Sequence, residues 1–164
     1  FITVSAEAGL TDERILTAST GVTISDDGAG GNINVAVANN IRDKLLGMFF
    51  SGNITTAMLG EESRVYIPYL MAISDCRLVV TSSATGANIT VNPRMFNASL
   101  LAGTALYLAA NRPRVLTNQL IGSQNAAPAI TNLHAGSYLG VDIDQVGSTV
   151  AGSNLTVTFV LRTS

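Results

Sequence analysis

Apolar side chains recur at every second position through much of the chain. Val22 and Ile24 alternate with Thr23 and Ser25, and Ile33, Val35 and Val37 alternate with Asn32, Asn34 and Ala36. Cys76, Leu78 and Val80 alternate with Arg77, Val79 and Thr81. Ile89 and Val91 alternate with Asn88, Thr90 and Asn92; Leu139, Val141 and Ile143 alternate with Gly140, Asp142 and Asp144. In the cleanest run, Leu155, Val157, Phe159 and Leu161 stand against Thr156, Thr158, Val160 and Arg162. Successive strand side chains point to opposite faces, so each run predicts a strand with one core face and one outer face. In the C-terminal part the predicted strands are 45–50, 64–67, 76–81, 88–92, 105–108, 115–121, 138–146 and 154–162.

Turn-formers separate these runs. Asp26-Asp27-Gly28-Ala29-Gly30-Gly31 reads as a hairpin loop, and Ser82–Ala87 and Gly147–Ser153 do similar work. Helix signals are few: Asn40 is placed to cap a short turn over Ile41–Leu45, which Gly47 would end. A boundary falls near Asn39-Asn40. Residues 1–40 hold three short strands at most, too little to bury a core alone. Residues 41–164 hold eight, enough for one antiparallel jelly-roll β-sandwich.

Composition narrows the class. Only 12% of the chain is charged, against about 25% in ordinary globular proteins, while 47% is hydrophobic. The polar faces are rich in Ser, Thr and Asn instead. Such a chain solubilises poorly as an isolated domain, which points to surface buried between subunits. A net charge of −2 lacks the basic footprint of a nucleic-acid binder. No apolar run approaches the roughly 20 residues of a membrane helix. Cys76 is alone, so neither an intrachain disulfide nor a cysteine zinc site is expected, and no cofactor or metal is implied. The chain begins at Phe1, which suggests a visible part of something longer.

The stretch from Glu13 to Val35 has an Arg, a Leu-Thr-Ala, a Thr-Gly, an alternating strand, a Gly-rich turn and a second strand. It resembles a segment common in tailed-bacteriophage fibre and spike proteins. Arg64–Tyr69, Asp75–Val80, Ala135–Ser148 and Asn154–Leu161 look like parts of the jelly-roll or tumour-necrosis-factor-like heads that follow such shafts. The resemblance implies an all-β homotrimer: a short intertwined shaft segment over 1–40 and a head, or knob, over 41–164. It implies a virion structural protein, the distal part of a fibre that contacts a bacterial surface glycan or protein. Other virion proteins would be met through a preceding N-terminal part. The alternative is a capsid-attached head fibre or decoration protein. The faces expected to fill the trimer or the core carry Val22, Ile24, Ile33, Val35 and Val37 in the shaft, and Leu155, Val157 and Phe159 in the head.

Candidate chemistry is sparse. His134 is the only histidine and sits in a turn-like stretch with no recognisable nucleophile motif. Cys76 falls on a core-facing position. Asp142 and Asp144 share a strand face, too few oxygens for a calcium site. The shortage of His, Trp and clustered acids argues against an enzyme such as a polysaccharide depolymerase. Charge gathers at Asn111-Arg112-Pro113-Arg114 and at Glu61-Glu62. Asn111, Arg112, Arg114, Glu61 and Glu62 are therefore the candidate host-ligand contacts, with an acidic sugar as one ligand for the arginines and an ion pair as the competing reading.

Overall fold

A computed structural model of the chain describes residues 2–3, 14–15, 17, 21–27, 31–37, 43–58, 64–97 and 103–163. It divides into two compact units, Phe1–Asp43 and Lys44–Ser164. The protein is all-β: among the described residues the one helical element is a 3₁₀ turn at Ala109–Asn111.

In the first unit β1 (Ile2–Thr3) pairs in parallel with β2 (Arg14–Ile15). A hairpin of β3 (Val22–Asp26) and β4 (Ile33–Val37) follows, with Val22 opposite Val37 and Ile24 opposite Val35. The Asn34 amide donates to Asp27 Oδ2 at 3.1 Å near its turn. Val22 and Ile24 are half-buried, whereas Ile33, Val35 and Val37 are 45%, 63% and 46% exposed.

The second unit holds β5 (Asp43–Asn53), β6 (Val65–Ile67), β7 (Met71–Val79), β8 (Ile89–Phe96), β9 (Gly103–Ala105), β10 (Arg114–Val115), β11 (Ile121–Ser123), β12 (Asn132–Leu133), β13 (Ser137–Gln145) and β14 (Ser153–Thr163). They form one antiparallel curled sheet in the order β5-β14-β7-β11-β10-β8-β13-β6; β12 also pairs with β7, and β9 with β8. The short strands β10 and β11 join the two halves. Leu78 and Cys76 of β7, Leu155, Val157, Phe159 and Leu161 of β14, Ile89 and Val91 of β8, and Leu139, Val141 and Ile143 of β13 share one core. Ile54, Val80 and Ala84 belong to the same core at one end.

Cys76 is fully buried, as the alternation requires. Leu155, Val157 and Phe159 are also fully buried, inside this unit's own core.

Several elements depart from the sequence pattern. Asp43–Leu45 belong to β5, not to a helical turn; Asn40 and Ile41 lie outside the described residues. β7 starts at Met71, five residues before the predicted strand. Its register against β14 shifts between Asp75↔Val160 and Ile73↔Leu161, so Ser74 is an extra residue. The bulge lets both Ile73 and Cys76 face the core, which hides the strand from a strict period of two. β8 runs on through Pro93, where a proline has no N–H for a ladder. On that edge Val91 N–H donates to Pro113 O at 3.0 Å, and Pro93 O accepts from Leu106 N–H at 2.9 Å. Between these contacts the neighbouring chain leaves the sheet through the 3₁₀ turn, so the missing donor strands no acceptor.

The predicted strand 105–108 is instead β9 at 103–105 followed by a bend with Leu106 and Tyr107 buried. Gly103 lies against Phe96: a Cβ there would sit 2.6 Å from the ring. The predicted strand 115–121 is two strands separated by a turn, in which Asn118 takes φ 63°.

The two faces of β14 should respond differently to truncation. Phe159→Ala is expected to cost about 3–5 kcal/mol by leaving a core cavity. Thr158→Ala, on the outer face, should cost under about 1 kcal/mol. Urea denaturation of both variants checks the assignment of faces.

Candidate functional site

Three regions concentrate polar chemistry. The first lies on the outer face of β8 and β13, where Asp142 is opposite Asn92 and Gly140 opposite Arg94. Continuing the alternation of β8 past Pro93 puts Arg94 on the face of Asn92. Arg94 Nη1 donates to Asp142 Oδ2 at 2.9 Å, and its Nε donates to Gly103 O at 3.0 Å. Asp142 is thereby buried in spite of its outward position. A register shift between Ile143 and Gln145 leaves Asp144 without an opposite residue, and this bulged carboxylate pairs with Arg112 from the loop after the 3₁₀ turn.

Burial pushes the Asp144 carboxyl above its ordinary value of 3.8, against the pull of Arg112, and the neighbouring Asp142 charge adds to the rise. Asn92 Oδ1 and Arg112 Nε are buried here without a hydrogen-bond partner. Nearby, Arg64 lies over the Phe96 ring, 4.3 Å from its centroid. The Arg112–Asp144 pair holds the Arg112 loop to the sheet, and the Arg94–Asp142 pair joins β8 to β13. Among the described residues no three His, Cys, Asp or Glu side chains group to hold a metal.

The second region is a cleft of about 210 Å³ lined by Arg114, Leu116, Gly122, Ser123, Gln124 and Asn125. Arg114 is opposite both Thr90 and Ser123, so the three share a face. The Gln124 side chain is fixed: its Oε1 accepts from Tyr107 Oη at 2.7 Å and its Nε2 donates to Ser74 O at 3.4 Å.

The third is the loop end of the sheet, opposite the end where β5 starts. Loops 80–88, 116–120 and 146–152 meet there. Thr85 N–H donates to Val150 O and Thr149 N–H to Thr85 O, each at 3.0 Å, while Asn118 N–H donates to Ala84 O at 2.9 Å. Asn88 Oδ1 accepts from Thr117 N–H at 2.9 Å and from its hydroxyl at 3.1 Å. Asn154 Oδ1 accepts from Gly52 N–H at 2.8 Å, and its amide donates to Thr81 Oγ1 at 3.0 Å. A cleft of about 360 Å³ at this end is lined by Asn53, Ser82 and Thr149–Ser153, with no charged side chain. Gly152 takes φ +87° to make the turn.

The sequence-predicted contacts therefore separate. Arg112 is tied to Asp144, so it is an internal clamp and not a free anion contact. Asn111 closes the 3₁₀ turn, half-buried. Arg114 lines the second cleft. Glu61 and Glu62 lie outside the described residues. His134 is exposed and lines a further cleft of about 290 Å³ with Phe96, Asn97 and Ser137. The Ser137 hydroxyl donates to the His134 backbone carbonyl at 2.6 Å, not to the imidazole. Arg94 lies beyond the predicted strand 88–92, and Asn92 was read only as an outward polar position of that strand, so neither was singled out from the sequence.

Comparison with known protein families, with characterised proteins and with solved structures finds no match.

The Asp144 shift has a defined pH signature. The folded chain holds this proton more tightly than the unfolded chain does. The resulting stability is present below the unfolded value and is lost as pH rises through the higher native value. Asp144→Asn lacks this dependence. Its stability relative to the native sequence should rise between pH 3 and pH 7, as read by urea denaturation across that range; a fall would contradict the assignment.

The Cys76 thiol gives a second check. Burial, and then the Asp75 charge, push it up to about 12. Ellman's reagent should leave Cys76 untouched in the native protein at pH 8 and label it on unfolding.

Proposed function

We propose that this chain is the neck and head of a homotrimeric fibre or spike of a tailed bacteriophage, and that the head meets the host cell surface. The observation that carries the reading is the open apolar face of the β3–β4 hairpin, next in the chain to a unit built as one large antiparallel curled sheet. Ile33, Val35 and Val37 are about half exposed, and their hairpin partners Val22 and Ile24 lie on the same face. Copies of the same segment, packed about an axis, would cover that face.

The strand order supports a jelly-roll head. One half of the sheet runs β5-β14-β7 with β11 and β12 on the far edge of β7; the other runs β6-β13-β8 with β9 and β10 on the far edge of β8. Eight strand positions interleaved in this way are what the two layers of a jelly roll would need. The outer face of the first half also favours association. Leu45 and Phe49 of β5, Val79 of β7 and Ile121 of β11 are 75%, 62%, 47% and 69% exposed.

The host-binding role is physical, not catalytic. The loop end is held by backbone bonds before any ligand arrives, which lowers the ordering cost of binding. Three heads held together turn weak single contacts into firm attachment through effective concentration.

Sedimentation equilibrium at micromolar concentration tests the assembly. A mass of three chains is expected, and a folded monomer would overturn the reading. Replacing Val35 and Val37 together with Ser should shift the population toward monomer while leaving the β-sheet circular dichroism signal of the second unit intact.

A further inference from the structure

We infer that the cleft at Arg114 binds a carboxylate-bearing sugar, such as a uronic or sialic acid residue. This rests on the host-surface reading and assigns its ligand chemistry and its site.

Arginine is the side chain best suited to bidentate recognition of a carboxylate. Most guanidiniums of the second unit are already engaged. Arg77 pairs with Asp75 at 2.6 Å, Arg94 with Asp142 at 2.9 Å, and Arg112 with Asp144. Arg64 stacks on Phe96, and Arg162 also has a partner. Among the described residues no side chain or carbonyl engages the guanidinium of Arg114. It is nonetheless half-buried and lines a cleft. In a protein that is only 12% charged, it is a cation set in a cleft with no carboxylate among the described residues paired to it.

The rest of the lining suits a sugar ring. Leu116, 53% exposed, offers an apolar wall to C–H groups. The exposed Asn125 amide can both donate to and accept from hydroxyls. The Gln124 side chain is immobilised by Tyr107 and Ser74, so this part of the wall is formed in advance. Along the strands the same face continues from Arg114 to Thr90 and Gln145, whose side chains lie 3.4 Å apart. This row of hydroxyl and amide groups would serve the next sugar of a chain. The cleft, at about 210 Å³, is on the scale of a single ring.

The test is a ¹⁵N nuclear magnetic resonance titration of the whole chain with glucuronate, galacturonate, N-acetylneuraminate and neutral methyl galactoside. An acidic peptide, acetyl-Asp-Glu-amide, is the protein-side control. At least one acidic sugar should shift the Arg114 side chain and the amides of Leu116 and Ser123–Asn125. Binding should weaken on going from 50 to 500 mM NaCl. Methyl galactoside and Arg114→Gln should each bind at least about tenfold more weakly, the loss expected for one charge-assisted pair. Lys44→Gln, which removes an exposed charge on β5 away from the cleft, should keep the site.

No shift with any acidic sugar, equal shifts with the neutral one, or tighter binding of the acidic peptide would each overturn the assignment. Adsorption of labelled protein to a panel of bacterial strains separates this from the host-surface reading. Cells bound equally by the native protein and Arg114→Gln remove the cleft assignment and keep the reading. Acidic-sugar shifts at Arg114 without adsorption to any strain keep the cleft and remove the reading.

Discussion

β14, the last of the described strands, lies between β5 and β7, and the larger unit depends on that insertion. β14 pairs with β7 from Thr156↔Val79 to Thr163↔Met71 and supplies Leu155, Val157, Phe159 and Leu161 to the core. Its partner on the other edge, β5, begins about a hundred residues earlier in the chain. Until β14 arrives, β5 has no sheet to join and the core lacks four of its large side chains. Closing so long a loop costs entropy before any burial compensates it, so this half of the sheet forms cooperatively or not at all. The loop end depends on the same event, since Ser153 and Asn154 at the head of β14 bind Thr81 and Gly52.

Scarcity of charge gives each charged group a distinct task. Asp142 is buried and would be costly alone, but Arg94 reaches it across one strand. Breaking such a pair leaves a stranded charge, a penalty of about 3–5 kcal/mol in buried cases. Arg94 also binds Gly103 O, and Arg112 binds Asp144, so two arginines anchor the two ends of the 103–112 excursion to the sheet. That excursion positions Arg114 at the start of β10. The clamp and the proposed sugar contact are therefore consecutive parts of one segment, one internally matched and the other open.

The alternation of apolar residues was a sound guide to β14, β3 and β4, because each runs without interruption and buries one face or pairs its apolar positions, and to β13 as far as Ile143, where its bulge begins. It failed where a local event resets the phase. Ser74 adds a residue to β7, so Met71 and Ile73 fall out of step with Cys76. Pro93 stops a propensity-based strand, yet β8 tolerates it because its neighbour has left the sheet at that point. Leu106 and Tyr107 look like strand residues because they are apolar, and they are buried, but from a bend.

Of the candidate contacts, the Asn111–Arg114 cluster was visible as a concentration of charge in a charge-poor chain. Nothing local distinguishes Arg112 from Arg114. Their roles diverge because a bulge at Asp144 brings a carboxylate to one and not to the other. The sequence by itself determined the all-β class, the loops at 82–87 and 147–152 and the inward face of most strands, since these follow from side chains one to six residues apart. The order of strands, the pairing of Arg94 with Asp142 and the open state of the Arg114 cleft were decided only by the tertiary structure. Each depends on which distant strands lie side by side, and no local pattern of residues contains that distance.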